Sequence, residues 1–210
     1  MNRKGFLVLV VLAVLVVGGA FAQMPEFKLS AGAGGLFVSD FGGGMKNNTM
    51  ELKQPYAGGG GFAFFDATFV ELSFGFFAAS GGLKVRGNKT SDISYTGLDI
   101  SLLGKYPFAL SEQFTLFPLL GIDYRRFVSV KYKPSNSTAD AFTAGDYSAL
   151  WFKLGAGADY AFTGHIFARL GVVYGIRLAN KQEKDGAKAM GGDTKLGHGL
   201  DVKLAVGYRF

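Results

Sequence analysis

The sequence predicts an all-β fold: an eight-stranded antiparallel up-and-down transmembrane β-barrel preceded by a cleaved signal peptide. Three observations carry this reading. The chain begins with a leader-like segment, its remainder alternates with period two in segments joined by polar, Gly-rich stretches, and charge within those segments is confined to one face.

The leader comes first. Asn2, Arg3 and Lys4 form a positive n-region, Phe6 to Val17 an apolar h-region, and Ala20-Phe21-Ala22 a small-x-small cleavage site. Cleavage after Ala22 divides the chain into a signal peptide, residues 1–22, and a barrel domain, residues 23–210. The 210 residues are 49% hydrophobic and 15% aromatic, with 32 Gly and no Cys. Mean hydropathy is positive at +0.22, yet the leader holds the one long apolar run. A helical membrane protein needs stretches of about 20 apolar residues. Absence of Cys removes disulfides, thiolate metal sites, Cys nucleophiles and a lipoprotein junction. The net charge of +6 falls to +4 once Arg3 and Lys4 are removed, and in an exported chain this does not imply nucleic acid as a partner.

The strands read most clearly from the C-terminus backwards. In "GLDVKLAVGYRF", Leu200, Val202, Leu204, Val206, Tyr208 and Phe210 share one face, and Asp201, Lys203, Ala205, Gly207 and Arg209 the other. The preceding segment repeats the rule, with Ile166, Ala168, Leu170, Val172, Tyr174, Ile176 and Leu178 on one face and Phe167, Arg169 and Arg177 on the other. A helix would need a spacing of about 3.6 residues. The eight strands are placed at 27–38, 56–65, 68–79, 93–106, 114–131, 147–162, 166–179 and 199–210. Their connections alternate between short turns ("DA", "PFALSEQ", "TGH") and long polar loops at 39–55, 80–92, 132–146 and 180–198. That asymmetry is the pattern of membrane barrels.

Charge decides which face meets what. Phasing each strand by its apolar residues puts Lys28, Glu71, Asp99, Lys105, Asp123, Arg125, Lys153, Asp159, Arg169, Arg177, Asp201, Lys203 and Arg209 on the opposite face, with Arg126 the exception. A water-soluble sandwich would show its charges and hide its apolar face. Here the glycines Gly155, Gly157, Gly171, Gly175 and Gly207 accompany the charges, as a narrow lumen requires, so the apolar face meets lipid. Phe27, Phe62, Phe64, Tyr106, Phe108, Phe114, Tyr160, Phe162, Tyr208 and Phe210 gather at the short-turn ends, where an interface girdle is expected.

A terminal Phe preceded by alternating apolar residues resembles the C-terminal signal read by the barrel-assembly machinery of Gram-negative-type bacteria, with Tyr208 and Phe210 at its aromatic positions. With "LLGIDY" and "LGAGADYAFTGH" before the ending "AVGYRF", residues 23–210 resemble the small eight-stranded outer-membrane proteins of the OmpX, OmpA-barrel and OmpW groups. The resemblance implies a multi-pass protein of the bacterial outer membrane. It also implies outer-membrane lipid and, during biogenesis, the assembly machinery as partners.

The candidate functional residues are the inward charges. Eight strands leave an interior just wide enough for side chains, so five acids and eight bases there are expected to pair, forming a lumen charge network of Glu71, Asp99, Lys105, Asp123, Arg125, Lys153, Asp159, Arg169, Arg177 and Lys203. Counting register around the Gly164 turn sets Asp159 opposite Arg169 and Trp151 opposite Arg177, a salt bridge and a cation–π contact. Such a lumen is a structural plug rather than an ion path. His165 lies in a short turn and His198 at the entry to the last strand, with loop acids Asp185 and Asp193 in reach. No nucleophile–base arrangement is recognisable, so no catalytic, cofactor or metal residues are expected. "GAGG" at 32–35 and "GGGG" at 58–61 lack the Gly-Lys-Ser/Thr of a phosphate loop and read as glycine facing a crowded lumen or as sharp barrel curvature. The loops carry Met45 and Met50, then Lys84, Arg86 and Lys89, then Lys181, Glu183, Lys184, Asp185, Lys188, Asp193 and Lys195, and suit lipid headgroups or host surfaces. Asn47, Asn88 and Asn136 sit in N-x-[ST] contexts that read as loop composition. The expected function is a non-enzymatic outer-membrane barrel serving envelope structure or adhesion, the alternative being an OmpW-like narrow conduit for small hydrophobic molecules.

Overall fold

Side chains that alternate between apolar and polar favour extended chain, because successive residues point to opposite faces of a strand. The computed structural model describes residues 26–133 and 144–210. The leader at 1–22 and Asn136 lie outside the described residues. In chain order the elements are β1 (Leu29–Asp40), β2 (Gly44–Lys46), β3 (Glu51–Lys53), β4 (Tyr56–Ala67), β5 (Val70–Val85), β6 (Asn88–Lys105), β7 (Phe108–Ala109), β8 (Phe114–Lys133), β9 (Ala149–Ala161), β10 (Ile166–Arg177), helix α1 (Lys181–Ala189), β11 (Asp193–Lys195) and β12 (Gly197–Arg209).

The long strands pair antiparallel in the cycle β1–β4–β5–β6–β8–β9–β10–β12. β12 returns to β1, from Ser30 opposite Arg209 to Phe37 opposite Val202, so the sheet closes on itself. Closure leaves the long strands no free edge along the barrel. Short turns join β4 to β5 and β9 to β10 at the end that also holds the start of β1 and the end of β12.

The opposite end is more ordered than solvated loops would be. β5 and β6 run past the expected strand ends and meet at Arg86-Gly87, both at positive φ (50° and 86°). A two-residue hairpin turn of this hand needs positive φ at both positions, which glycine adopts without strain. β11, β2 and β3 extend the sheet from β5. Stretch 180–198, expected as loop, forms α1, opened by a capping box in which the Asn180 side chain accepts from the Glu183 amide and Glu183 accepts from the Asn180 amide. Met45, placed by sequence in a polar loop, is buried and packs against Gly186 of α1. Together these pieces form a cap.

The wall is apolar outside: Leu120, Leu154, Leu170, Leu204 and Val206 project outward and are exposed, while their chain neighbours Leu119, Arg169 and Ala205 are buried. One expectation fails in β4. Phe62 and Phe64 point into the barrel, not to a girdle, and their neighbours Ala63 and Phe65 face out. The run of four glycines left the strand's phase undetermined by apolar content, and the two phenylalanines lie against cations inside the barrel. Phe27, Tyr160, Phe162, Tyr208 and Phe210 are exposed at the short-turn end.

Candidate functional site: a two-layer ionic plug

Of the predicted network residues, Glu71, Asp99, Asp123, Arg125, Lys153, Asp159, Arg169, Arg177 and Lys203 are buried in the lumen, and the Lys105 side chain is 4% exposed. The charge balance differs from expectation. Lys28 is exposed at the rim and Arg209 is only partly covered. Three acids join that the sequence did not place inside: Asp40, Asp66 and Glu183. Among the described residues the interior therefore carries eight acids (Asp40, Asp66, Glu71, Asp99, Asp123, Asp159, Glu183, Asp201) against six bases (Lys105, Arg125, Lys153, Arg169, Arg177, Lys203).

The lower layer, near the short turns, centres on Arg169. Its Nε and Nη2 donate to the two Asp159 oxygens at 2.7 Å each, and Nη1 donates to Glu71 at 2.7 Å and lies 2.7 Å from Asp66. Asp159 and Arg169 are cross-strand partners in β9 and β10. Lys105 pairs with Asp66. The Arg169 guanidinium also sits 4.6 Å from the Phe64 ring centre, and the Lys105 ammonium 4.5 Å from that of Phe117. Aromatic faces attract cations through their quadrupole, which explains the inward turn of β4.

The upper layer, beneath the cap, centres on Arg125. It donates to Asp201 at 2.5 Å and to Asp99 at 3.2 Å, and lies 3.5 Å from Asp123. Lys153 bridges Asp123, at 3.2 Å, and Asp201. Both cations lie 4.5 Å from the fully buried Trp151 ring. Arg177, opposite Trp151 in register, lies over the same ring at the longer distance of 6.0 Å, and also donates to Asp40 at 2.6 Å and to both Glu183 oxygens at 2.7 Å. Glu183 thus ties the first turn of α1 to the barrel.

Between the layers Lys203 donates to Ser73 and Ser101 at 2.8 Å each, with the Phe62 ring centre 5.3 Å away. It makes no ion pair among the described residues. Its charge is offset by the surplus of carboxylates above and below, because Coulomb interactions act over several ångströms in a low-dielectric interior.

The sequence carried signals for two of the missed acids. Asp40 continues the inward phase of Leu36 and Val38 beyond the expected strand end, and Asn180-x-x-Glu183 is a capping-box spacing, whereas Asp66 shares the face of Phe64, whose inward direction the sequence did not reveal.

A closed antiparallel barrel, apolar without and ionic within, is what a membrane-spanning strand protein requires. The family model for the outer membrane protein beta-barrel domain matches residues 7–210. The chain belongs to that family. It is a multi-pass protein of the bacterial outer membrane, crossing it with strands. Among solved structures, this outer-membrane barrel is similar to OprG of Pseudomonas aeruginosa, at 16% identity and a TM-score of 0.55, covering 90% of this chain and 98% of that one. It is also similar to the Neisserial surface protein A, at 10% identity and 0.46 over 87% and 97%. A third is Ail of Yersinia pestis, at 14% and 0.41 over 89% and 100%. At 16% identity the likeness to OprG is one of fold. No curated protein matches the chain.

The family's orientation makes the short-turn end periplasmic and the cap extracellular. A cavity of about 190 Å³ opens at the periplasmic end, lined by Lys28, Lys105, Arg209, Asp66 and Asp159 among others, and Arg169 forms part of its lining. Neither histidine of the outer-membrane barrel meets the loop acids. His198 is on the outer wall, its Nδ1 2.7 Å from the Tyr174 hydroxyl, and His165 Nδ1 lies 2.9 Å from the Arg209 carbonyl oxygen, its ring stacked on Tyr208. Among the described residues no cluster of His and acids has metal-binding geometry.

Proposed function

We propose that this protein is a non-conducting, non-enzymatic surface barrel that holds an ordered extracellular cap in the outer membrane for envelope structure or adhesion. The observation that carries the reading is the double plug. A solute crossing the lumen would have to displace both the Arg169 layer and the Arg125 layer, each tied by several charge-assisted hydrogen bonds. Breaking one member of such a buried group leaves uncompensated charge, at a cost of about 3–5 kcal/mol. Arg177 and Glu183 anchor the cap to the same plug, so cap and lumen form one ordered unit. The exposed rings of Tyr208 and Phe210 belong to the same reading as the mark presented to the assembly machinery.

Planar-bilayer recording of the folded protein tests it. Baseline current at moderate voltage is the expected result, with liposomes retaining small solutes and failing to take up small hydrophobic molecules. Discrete channels, or uptake by the folded protein, would overturn the closed reading in favour of the conduit.

A further inference from the structure

The cavity of about 190 Å³ at the periplasmic mouth is closed above by the lower layer of Arg169, Asp159, Asp66 and Lys105, so it is a blind pocket and not a stretch of passage. On one side β7 folds back on β8, setting Ala109 opposite Thr115, with Phe117 farther in on the same face. The facing side is the start of β1, where Thr68 clamps Lys28. Its hydroxyl accepts from the Lys28 amide at 2.6 Å and donates to the Lys28 carbonyl oxygen at 2.9 Å. Thr68 does this from a positive φ of 56°, a strained setting for a β-branched residue. Strain of that kind persists where the surroundings hold one geometry in place, and the geometry held here is the pocket rim.

The polar groups of the lining are unequally used. Each carboxylate already holds a cation: Glu26 holds Lys28 at 3.1 Å, Asp159 takes Arg169 through both oxygens, and Asp66 meets Arg169 and Lys105. Arg209 is the exception among the cations. It lies opposite Ser30 on the inward face of β12, and its guanidinium rests 5.1 Å from the Phe167 ring centre. Among the described residues its one acidic neighbour is Asp159 at 3.9 Å, and neither its guanidinium nor the Ser30 hydroxyl donates a hydrogen bond.

A planar fork of donors, stacked on an aromatic ring and facing a pocket, matches a carboxylate with two parallel hydrogen bonds. Phe117, Pro107 and Ala109 suit a small apolar group beside it. The volume lies below the roughly 300–1,000 Å³ of sites that enclose a whole drug-sized ligand. Such a pocket takes the end of a longer molecule.

We propose that the periplasmic mouth captures the free α-carboxylate at the end of a peptide with small side chains, Arg209 holding the carboxylate and Phe117 the terminal side chain. Capture takes place at the opposite end of the barrel from the cap and does not depend on whether the lumen conducts.

The folded protein in maltoside micelles is titrated with N-acetyl-L-alanyl-L-alanine, its D,D counterpart and the C-terminal amide of each, read by backbone amide chemical shifts. The acids are expected to give saturable shifts at Ser30, Thr115 and Arg209. The amides should bind about tenfold or more weakly, because they forgo hydrogen bonds to a charged group. Arg209→Gln should abolish the difference between acid and amide, and Arg209→Lys should restore part of it. Arg209 adjoins the terminal aromatic pair, so Thr115→Trp, which fills the pocket and keeps the guanidinium, provides a second route to lost binding. Lys184→Gln on α1 should bind as wild type. Tighter binding of the D,D acid assigns the terminus to cell-wall peptide, and equal or tighter binding of the L,L acid assigns it to a protein; both support capture. Equal binding of acid and amide by the wild type overturns the proposal, as does the absence of any saturable shift or unchanged binding in Thr115→Trp.

Discussion

At the scale of single residues the lumen is organised by arginines that each satisfy several carboxylates. Arg169 serves Asp159, Glu71 and Asp66 from one guanidinium, whose planar fork of five donors matches that geometry. Arg169→Met would leave three buried carboxylates with only Lys105 and the more distant Arg209 nearby. We expect a loss of about 3–5 kcal/mol in urea unfolding, and Arg169→Lys to recover only part of it, because an ammonium cannot reach all three. A midpoint within error of wild type for Arg169→Met would mean the layer is held chiefly by its aromatic platforms. One residue reads differently from its surroundings. Among the described residues Lys203 hydrogen-bonds two serines and no carboxylate, so its charge is balanced by the field of the two layers rather than by an ion-pair partner.

At the scale of elements, adjacent glycines in β1 separate what closure requires from what it tolerates. A Cβ on Gly34 would lie 1.9 Å from the Leu204 carbonyl oxygen of β12, whereas one on Gly35 would meet nothing within 4 Å. Gly34→Ala should therefore lower folding yield and cost about 1–3 kcal/mol through overpacking at the β1–β12 seam, and Gly35→Ala should fold as wild type. Heat-modifiable gel mobility distinguishes them. In the cap, Glu51 of β3 accepts from Lys195 of β11 and pairs with Lys53, and these two lysines hold its carboxyl below its ordinary value of 4.5. A depressed folded value means the contribution is present above the unfolded pKa and lost as pH falls through the folded one. Amide exchange in β11 should accordingly quicken in acid relative to the barrel strands, and Glu51→Gln should remove that difference.

Legibility also varied by element. The alternation of β10 and β12 is unbroken, so their inward arginines and lysines could be assigned from sequence, and Asp159 and Arg169 do oppose each other across the Gly164 turn. β4 was misphased because glycines at 58–61 carry no polarity signal, and the inward phenylalanines respond to cations on β10 and β12 that are distant in sequence. The cap was hidden for a different reason. Its short strands and α1 are polar on their exposed faces, and their order comes from contacts such as Arg177 with Glu183 and Met45 with Gly186. β-Bulges at Val128, where β8 pairs with β6, and at Thr90, where β6 pairs with β5, were equally invisible, since register slips are set by pairing rather than by composition.

At the scale of the whole molecule, one sorting rule links residence and activity. Apolar side chains turned outward let the closed sheet sit in lipid, and charges turned inward find partners and fill the space a solute would use. The most direct check exploits the absence of Cys, which allows single cysteines to be introduced without background. Spin labels along β12 at Leu204, Ala205, Val206 and Gly207, in the reconstituted protein, report collision with oxygen, which concentrates in lipid, and with a water-soluble nickel chelate. Positions 204 and 206 are predicted to show high oxygen and low nickel accessibility, and 205 and 207 low accessibility to both. High nickel accessibility at 205 and 207 would reveal a water-filled channel, and at 204 and 206 a barrel that does not face lipid. Either result would contradict the account.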